Sequence, residues 1–210
     1  MIRVLLVDDQ RLVRAGLRML VEATADVEVV GEAADGVAAV RAAAALSPDL
    51  VLMDLRMPGM DGVEATRQIL AAGSASKVLV LTTFDDDEHL YPALAAGASG
   101  YLVKDTDPQQ LVEAMRRTMD GELLFSPSLL RRLVDRAITT PNRSRPPAVE
   151  LTPREREVLA LVGDGFGNQE IAERLHLGVS TVKKHLAQLM DKTGTDNRVR
   201  LAVFAIESTR

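Results

Sequence analysis

The chain has 210 residues, of which 47% are hydrophobic and 26% charged, and its formal net charge is −5. This length fits one large domain or two small ones, and the composition is typical of a globular protein and excludes a disordered one. The absence of cysteine excludes disulfides, thiolate catalysis and cysteine-ligated zinc. No apolar run reaches the ~18 residues of a membrane span, and the first apolar stretch is too short for a signal peptide. We therefore expect a cytoplasmic protein with no membrane segment.

The charge is distributed unevenly along the chain. Residues 1–120 contain 11 Lys+Arg and 19 Asp+Glu, a formal charge of −8, whereas residues 121–210 contain 14 and 11, a formal charge of +3. A polyanion would be repelled by the first part and tolerated by the second. This asymmetry favours a nucleic-acid-binding module joined to an acidic one.

Five short apolar runs in the first part alternate with stretches that are long enough for crossover helices. Runs of nearly continuous Val and Leu are typical of strands that are buried on both faces. The predicted strands are residues 2–7, 27–33, 50–54, 77–82 and 100–103. The pattern predicts an α/β domain with a doubly wound, five-stranded parallel sheet.

Helix-capping and linker signals mark the rest of the chain. Asp61 and Asp107 are predicted N-caps, and Ser126 begins a further short helix. The segment 139–147 contains three prolines among polar and basic residues and is a predicted linker. We expect a first domain over 1–120, a short helix and linker over 121–147, and a second domain over 148–210.

The second domain is predicted to be all-α. Thr152, Pro153 and Glu155 form a capping-box signature before an apolar-periodic run. Three further helices are expected over 168–175, 179 to about 192 and 196 to about 207. Four short helices with tight Gly-containing breaks are typical of a small helix-turn-helix domain.

Polar and charged side chains follow the predicted strands at their carboxyl ends. Asp8 and Asp9 come after the first strand, Asp54 ends the third, Thr82 ends the fourth and Lys104 follows the fifth. Ligands of open parallel sheets bind at this edge. Three close carboxylates predict a hard divalent cation, Mg²⁺, with Lys104 and Thr82 facing a phosphoryl group. Taken singly, Asp8, Asp49 or Asp61 is more typical of a helix cap than of a ligand site.

The motifs VLLVDD, LVLMDLRMPGMDG, VLVLTTF and GASGYLVKD, in that order, resemble the receiver domain of two-component response regulators over residues 1 to about 120. The resemblance implies a flavodoxin-like fold in which Asp54 accepts a phosphoryl group from a sensor histidine kinase. It also implies that Asp9 ligates Mg²⁺ directly, that Asp8 acts mostly through water, and that the backbone carbonyl of Arg56 completes the protein ligands.

The same resemblance implies a switch. Phosphorylated Asp54 would draw in the Thr82 hydroxyl, and Tyr101 would reorient into the vacated space. Two residues depart from the family pattern: Asp105 stands where many receivers have proline, and Thr83 stands where a small residue is common. We interpret both as tuning the lifetime of the phosphate. We interpret the acidic run over 85–88 as the first turn of the fourth helix, where it favours the helix dipole.

One helix of the second domain has two different faces. Val182, Leu186 and Leu189 recur at i, i+4 and i+7, which predicts a buried stripe. The candidates for DNA contact are four residues that lie outside this stripe: Thr181, Lys183, Lys184 and Ala187. His185 lies between the faces, and we expect it to pack.

Residues 151–205 resemble the LuxR-type helix-turn-helix, the carboxyl-terminal half of NarL/FixJ-family regulators. The resemblance implies that this helix enters the major groove of double-stranded DNA. Thr181 would contact a phosphate, the two lysines would contact bases or phosphates, and Ala187 offers bases only a methyl contact. Gly178 stands where the family usually has a serine cap, and we expect the turn to survive.

The last predicted helix contains more apolar positions than a three-helix core requires, which suggests a partner. In the family this helix pairs two copies on a pseudo-palindromic site, so we expect a homodimer upon activation.

Two alternatives remain open from the sequence. One is a flavodoxin-like phosphatase or nucleotide-binding enzyme, against which stand the missing Gly-rich phosphate loop and the 3% aromatic content. The other is an atypical regulator whose DNA binding does not depend on phosphorylation or is controlled by a ligand.

Overall fold

The computed structural model describes residues 1–82, 87–122, 149–195 and 198–208. The chain divides into two compact units, Met1–Leu124 and Phe125–Arg210. The predicted helix that begins at Ser126, the predicted linker over 139–147 and Thr83 lie outside the described residues. No helix in the described ranges combines the length and apolar character that crossing a bilayer requires.

The first unit alternates strands and helices along the chain. Its elements are β1 (Ile2–Val7), α1 (Arg11–Glu22), β2 (Val27–Ala33), α2 (Gly36–Leu46), β3 (Leu50–Asp54), α3 (Gly62–Ala71), β4 (Lys77–Thr82), α4 (Asp87–Ala95), β5 (Gly100–Val103) and α5 (Pro108–Met119). The strands pair in parallel in the order β2-β1-β3-β4-β5. The predicted doubly wound sheet and the predicted bounds of its five strands are therefore confirmed.

The central strands β1, β3 and β4 are buried on both faces because most of their residues are apolar. Alternate residues point to opposite faces, so Leu6 and Leu52 pack with α1 and α5, whereas Val7 and Met53 pack with α2 and α3. Asp8 and Asp54 come two residues after Leu6 and Leu52, so both lie on the same side of the sheet, at the ends of β1 and β3. Chain order reverses between these two strands, so a crevice for ligands opens at their carboxyl ends.

The two N-caps predicted for the first unit, Asp61 and Asp107, are present. The Asp61 carboxylate accepts from the backbone N–H of Glu64 at 2.8 Å, and the Asp107 carboxylate accepts from that of Gln109 at 2.8 Å. Helix α4 begins at Asp87, which agrees with the acidic first turn, although Asp85 and Asp86 lie outside the described residues.

The second unit contains α6 (Pro153–Gly163), α7 (Asn168–Leu175), α8 (Val179–Thr193) and α9 (Arg198–Ser208). These are the four predicted helices, with α8 one residue longer than expected and the expected start of α9 outside the described range. The capping box of α6 is present, since the Thr152 hydroxyl accepts from the backbone N–H of Glu155 and the Glu155 carboxylate accepts from that of Thr152. Apolar residues from all four helices form one core.

Candidate functional site

Three carboxylates meet at the carboxyl ends of β1 and β3. Asp54 is the last residue of β3 and Asp8 follows β1; their side chains are buried, whereas Asp9 is exposed. One oxygen of each residue lies within 4.8 Å of the others. The structure thus brings together the three aspartates that the sequence suggested as metal ligands.

Lys104 lies between two of these carboxylates. It follows β5, and its backbone N–H donates to the carbonyl of Thr82 at 2.7 Å. Its Nζ lies 2.7 Å from Asp8 Oδ2 and 3.1 Å from Asp54 Oδ2. One ammonium therefore compensates two buried carboxylates, which leaves the cluster with an excess of negative charge.

The charge imbalance shows in the ionisation of Asp54. Burial raises the pKa of Asp54 above its usual value, and the carboxylate of Asp8 adds to this effect. Lys104 and the backbone N–H of Arg56 act in the opposite direction without cancelling it. For Lys104, burial is outweighed by the hydrogen bonds to Asp8 and Asp54, so its pKa is raised. A further cation beside Asp54 would favour the ionised carboxylate.

Asp8 is held from four directions. Its backbone N–H donates to the carbonyl of Ala33 at 3.2 Å, and its Oδ1 accepts from the backbone N–H of Gln10 at 2.8 Å. Its Oδ2 faces Lys104, and its carbonyl oxygen accepts from Nη1 of Arg14 at 2.6 Å. The sequence reasoning missed Arg14, because the helical period places it on α1 and contains no signal for a bond to Asp8.

Gly62 is a second residue that the sequence reasoning missed. A Cβ at this position would collide with the carbonyl oxygen of Asp54, so only glycine allows the start of α3 to lie directly against the end of β3. The backbone N–H of Gly62 donates to the carbonyl of Leu55 at 3.0 Å and fixes this approach. Its signal was the MDG triplet after the strand, which was interpreted only as a cap.

The other predicted switch residues lie on neighbouring strands. Thr82 is buried at the end of β4, where it pairs with Val103. Tyr101 is half-buried on β5, where it pairs with Val80. Arg56 is exposed two residues after β3 and places its backbone beside the carboxylate of Asp54.

The donor set fits a hard divalent cation. All the candidate ligand atoms of the three aspartates are carboxylate oxygens, the type that Mg²⁺ prefers. Two of the three carboxylates are buried, and together they exceed the single positive charge of Lys104. A cation at this position would therefore offset a repulsion that the fold itself creates.

The second candidate site is one face of α8. Val182, Leu186 and Leu189 are buried, which confirms the predicted stripe. The four candidates for DNA contact are all exposed: Thr181, Lys183, Lys184 and Ala187. The structure therefore presents one hydroxyl, two cationic side chains and one methyl group to solvent on this helix.

The two ends of α8 are held differently. At its start, Gly178 occupies the N-cap position in an extended conformation with no side-chain cap, so the turn forms despite the missing serine. Near its end, Nζ of Lys192 lies 2.7 and 2.8 Å from the two carboxylate oxygens of Glu155. Lys192, together with the backbone N–H of Thr152, lowers the pKa of Glu155. His185 is half-buried as expected, and its Nδ1 has no hydrogen-bond partner among the described residues.

Comparison with known proteins gives two family matches. Residues 4–116 match the response regulator receiver domain, and residues 149–205 match the bacterial regulatory proteins of the luxR family. The chain is 42% identical over 205 residues to the transcriptional regulatory protein LiaR of Bacillus subtilis, which covers 98% of this chain and 97% of LiaR.

Solved structures give the same result. The response regulator ChrA of a heme-sensing two-component system is 36% identical with a TM-score of 0.54, over 100% of this chain and 98% of ChrA. RcsB, in a structure of two dimers bound to two parallel DNAs, is 27% identical with a TM-score of 0.56, over 100% of this chain and 99% of RcsB.

Proposed function

Because this chain belongs to the two-component response regulators that join a receiver domain to a LuxR-family DNA-binding domain, we propose that phosphorylation of Asp54 controls its binding to DNA. The family regulates transcription and is not a family of enzymes. The flavodoxin-like phosphatase or nucleotide-binding enzyme considered from the sequence is thereby excluded. We place the regulator in the cytoplasm, where bacterial DNA and the kinase domain of a sensor meet.

The phosphoryl step is supported by one observation above all, the buried Asp54 carboxylate with Asp8, Asp9 and Lys104 around it. An oxygen of Asp54 attacks the phosphorus of a phosphohistidine on the sensor kinase. The new O–P bond forms as the P–N bond breaks, and the histidine leaves. Such transfers pass through a loose transition state, so positioning and charge neutralisation dominate, and the Lys104 ammonium supplies part of both.

We assign the metal site to the carboxylates of Asp8, Asp9 and Asp54 with the backbone carbonyl of Arg56. Asp9 would ligate the metal directly and Asp8 would act mostly through water. When bound there, Mg²⁺ would supply charge neutralisation at the phosphoryl oxygens.

The phosphoryl group then shifts an equilibrium between two packings of the receiver. The hydroxyl of Thr82, at the end of β4, hydrogen-bonds to the new oxygens on Asp54. Tyr101, on the neighbouring strand β5, turns into the space that Thr82 leaves. Both side chains lie on strands that end at the acidic edge of the sheet.

The output step uses the exposed face of α8 in the major groove of double-stranded DNA. Lys183 and Lys184 contact bases or phosphates, Thr181 contacts a phosphate, and Ala187 contacts at most a thymine methyl. Two copies bind a pseudo-palindromic promoter site as a homodimer formed upon activation. The DNA-bound dimers of RcsB support this arrangement.

The proposal is tested by treating the full chain with acetyl phosphate and Mg²⁺ and measuring phosphate incorporation by intact mass spectrometry. Wild type should gain one phosphoryl group, whereas Asp54→Asn should gain none because an amide cannot form the acyl phosphate. The matched control is Asp61→Asn, since asparagine still caps α3 and Asp61 lies outside the cluster. Phosphorylation of Asp54→Asn at the wild-type level would refute the assignment.

The link to DNA is tested with the same samples. Treatment with acetyl phosphate should raise the affinity of wild type for its promoter site, measured by fluorescence anisotropy. The same treatment should leave the affinity of Asp54→Asn unchanged. Equal affinity before and after phosphorylation would instead favour a regulator whose DNA binding does not depend on phosphorylation or is controlled by a ligand.

A further inference from the structure

Arg14 connects the acidic cluster to the edge strand of the sheet. It lies in the first turn of α1, and its side chain is only 15% exposed. Its Nη1 donates to the carbonyl oxygen of Asp8 at 2.6 Å, and its Nε donates to Oε2 of Glu32 on β2 at 3.3 Å. One guanidinium therefore joins a residue of the acidic cluster to a neighbouring strand.

The carbonyl that Arg14 holds belongs to the peptide unit between Asp8 and Asp9. This unit is planar, so a bond to its oxygen also orients the N–H of Asp9. The following N–H, that of Gln10, is tied to Oδ1 of Asp8 at 2.8 Å. With both of these bonds in place, the backbone of Asp9 has little freedom, which limits the directions that its exposed side chain can take.

Glu32 holds Arg14 in this position. Glu32 also accepts from Nε of Arg18 at 2.6 Å. Hydrogen bonds from Arg18 in the first place, and from Arg14 as well, lower the pKa of Glu32 below its usual range. Glu32 is therefore ionised at neutral pH, and the salt bridge to Arg14 persists there.

We propose that Arg14 is a positioning residue for Mg²⁺, which acts by holding the Asp8–Asp9 peptide so that the Asp9 carboxylate points at the metal site. This inference rests on the proposed function, in which Asp9 ligates Mg²⁺ directly. Outer-shell residues of this kind orient the ligands without touching the metal.

The charge of Arg14 and its hydrogen bond predict opposite effects of its loss on the affinity for Mg²⁺. A guanidinium close to a dication opposes metal binding, so removal of its charge alone would strengthen binding of Mg²⁺. Loss of the bond to the Asp8 carbonyl would weaken binding, because Asp9 would have to be ordered at the expense of binding free energy. The positioning role therefore predicts weaker binding in a variant that has lost a repulsive charge.

The experiment titrates ¹⁵N-labelled full chains with Mg²⁺ alone and follows the backbone amide signals of residues 8–10. Arg14→Met should raise the Kd for Mg²⁺ by at least about threefold, against the roughly 10- to 100-fold that outer-shell substitutions cost in tight metal sites. Arg14→Lys keeps the charge but not the planar fork, so its Kd should lie between those of wild type and Arg14→Met.

The matched control is Arg18→Met. Among the described residues Arg18 bonds to Glu32 and to Glu22 on its own helix. The variant therefore removes a nearby charge and leaves the bond from Arg14 to Asp8 in place. Its Kd should stay within about twofold of wild type.

The outcomes separate this inference from the proposed function. A Kd for Arg14→Met equal to or below that of a metal-binding wild type would overturn the positioning role alone. If circular dichroism shows that Arg14→Met does not fold, a wild-type Kd for Arg14→Lys would have the same meaning. Wild type that binds no Mg²⁺ would overturn the metal site of the proposed function and this inference with it.

Discussion

Lys104 is the residue on which the receiver site depends in the absence of a metal. Its ammonium is the cation that contacts both Asp8 and Asp54, and its pKa is raised by these hydrogen bonds. The contribution of Lys104 to the stability of the fold is therefore fully present at neutral pH. It would be lost only as the pH rises through the elevated pKa of Lys104. The same side chain is proposed to neutralise the phosphoryl group, so one residue serves the resting and the activated site.

We predict that Lys104→Met lowers the free energy of unfolding at pH 7 by about 2 kcal/mol in Mg²⁺-free buffer, because two buried carboxylates lose a charged donor. The raised pKa of Asp54 rises further when Lys104 is removed. The loss should therefore shrink as the pH falls and Asp54 takes up a proton, and it should also shrink when Mg²⁺ is added. Urea unfolding followed by circular dichroism at several pH values measures this.

A control for this variant is Lys77→Met, which removes an exposed lysine from the amino-terminal end of β4. It should change stability by less than about 0.5 kcal/mol. A Lys104→Met variant that binds Mg²⁺, is phosphorylated and responds on DNA as wild type does would contradict the role of Lys104.

At the scale of elements, α8 combines a buried stripe, an exposed basic face and an ion pair near its end. The Lys192–Glu155 ion pair joins its last turn to the start of α6. Arg154, also at the start of α6, donates to the carbonyl of Leu175 at the end of α7. These contacts and the shared apolar core connect α6 with α7 and α8, so the direction of Lys183 and Lys184 depends on the packing of three helices.

We predict that Lys183→Ala and Lys184→Ala each weaken DNA binding, in one of two distinguishable ways. If the lysine hydrogen-bonds to a guanine edge, its substitution should weaken the binding free energy by about 1 to 3 kcal/mol and remove the preference at that base pair. A lysine that contacts only phosphate should lower affinity evenly across sequences and reduce the salt slope by about one per half-site. Titration of a specific and a scrambled duplex at several salt concentrations separates the two.

Gln188→Ala, which changes an exposed neutral residue on the same helix, controls for altered packing of α8. Phosphorylation of the receiver should be unchanged in every one of these variants. Wild-type affinity of both lysine variants for both duplexes would mean that another surface of the domain contacts DNA.

At the scale of the whole molecule, two parts of opposite charge belong to one chain. Residues 1–120, which contain the receiver domain, carry a formal charge of −8, and residues 121–210, which contain the DNA-binding domain, carry +3. Long-range repulsion between the receiver and a polyanion therefore opposes DNA binding by the full chain. The proposed phosphorylation would add further negative charge to the receiver, so activation would have to act through structure or dimerisation and not through net charge.

We predict that a fragment of residues 121–210 binds a scrambled duplex more tightly than the full chain at low salt, by at least about threefold, because it lacks the acidic receiver. The difference should vanish near 1 M salt, where the Debye length falls to about 3 Å. Fluorescence anisotropy across a salt series measures both. Equal affinities at low salt would show that the receiver's charge does not reach the DNA.

The sequence by itself determined the sheet, the helices and the composition of both sites. Runs such as LVLMD predict a strand that is buried on both faces. The carboxyl ends of parallel strands lie at one edge of the sheet, so the proximity of Asp8, Asp54 and Lys104 followed from the order of the strands. The stripe of Val182, Leu186 and Leu189 followed from the helical period in the same way. These features depend on local periodicity and on a topology with few alternatives.

Only the tertiary structure decided how the site residues are held. Nothing in the local pattern indicates that Lys104 spans Asp8 and Asp54, that Arg14 holds the carbonyl of Asp8, or that Lys192 reaches Glu155 across 37 residues. Each of these contacts joins elements that are distant in the sequence and requires particular side-chain rotamers. Their partners are selected by packing, which no period of 2 or 3.6 residues encodes.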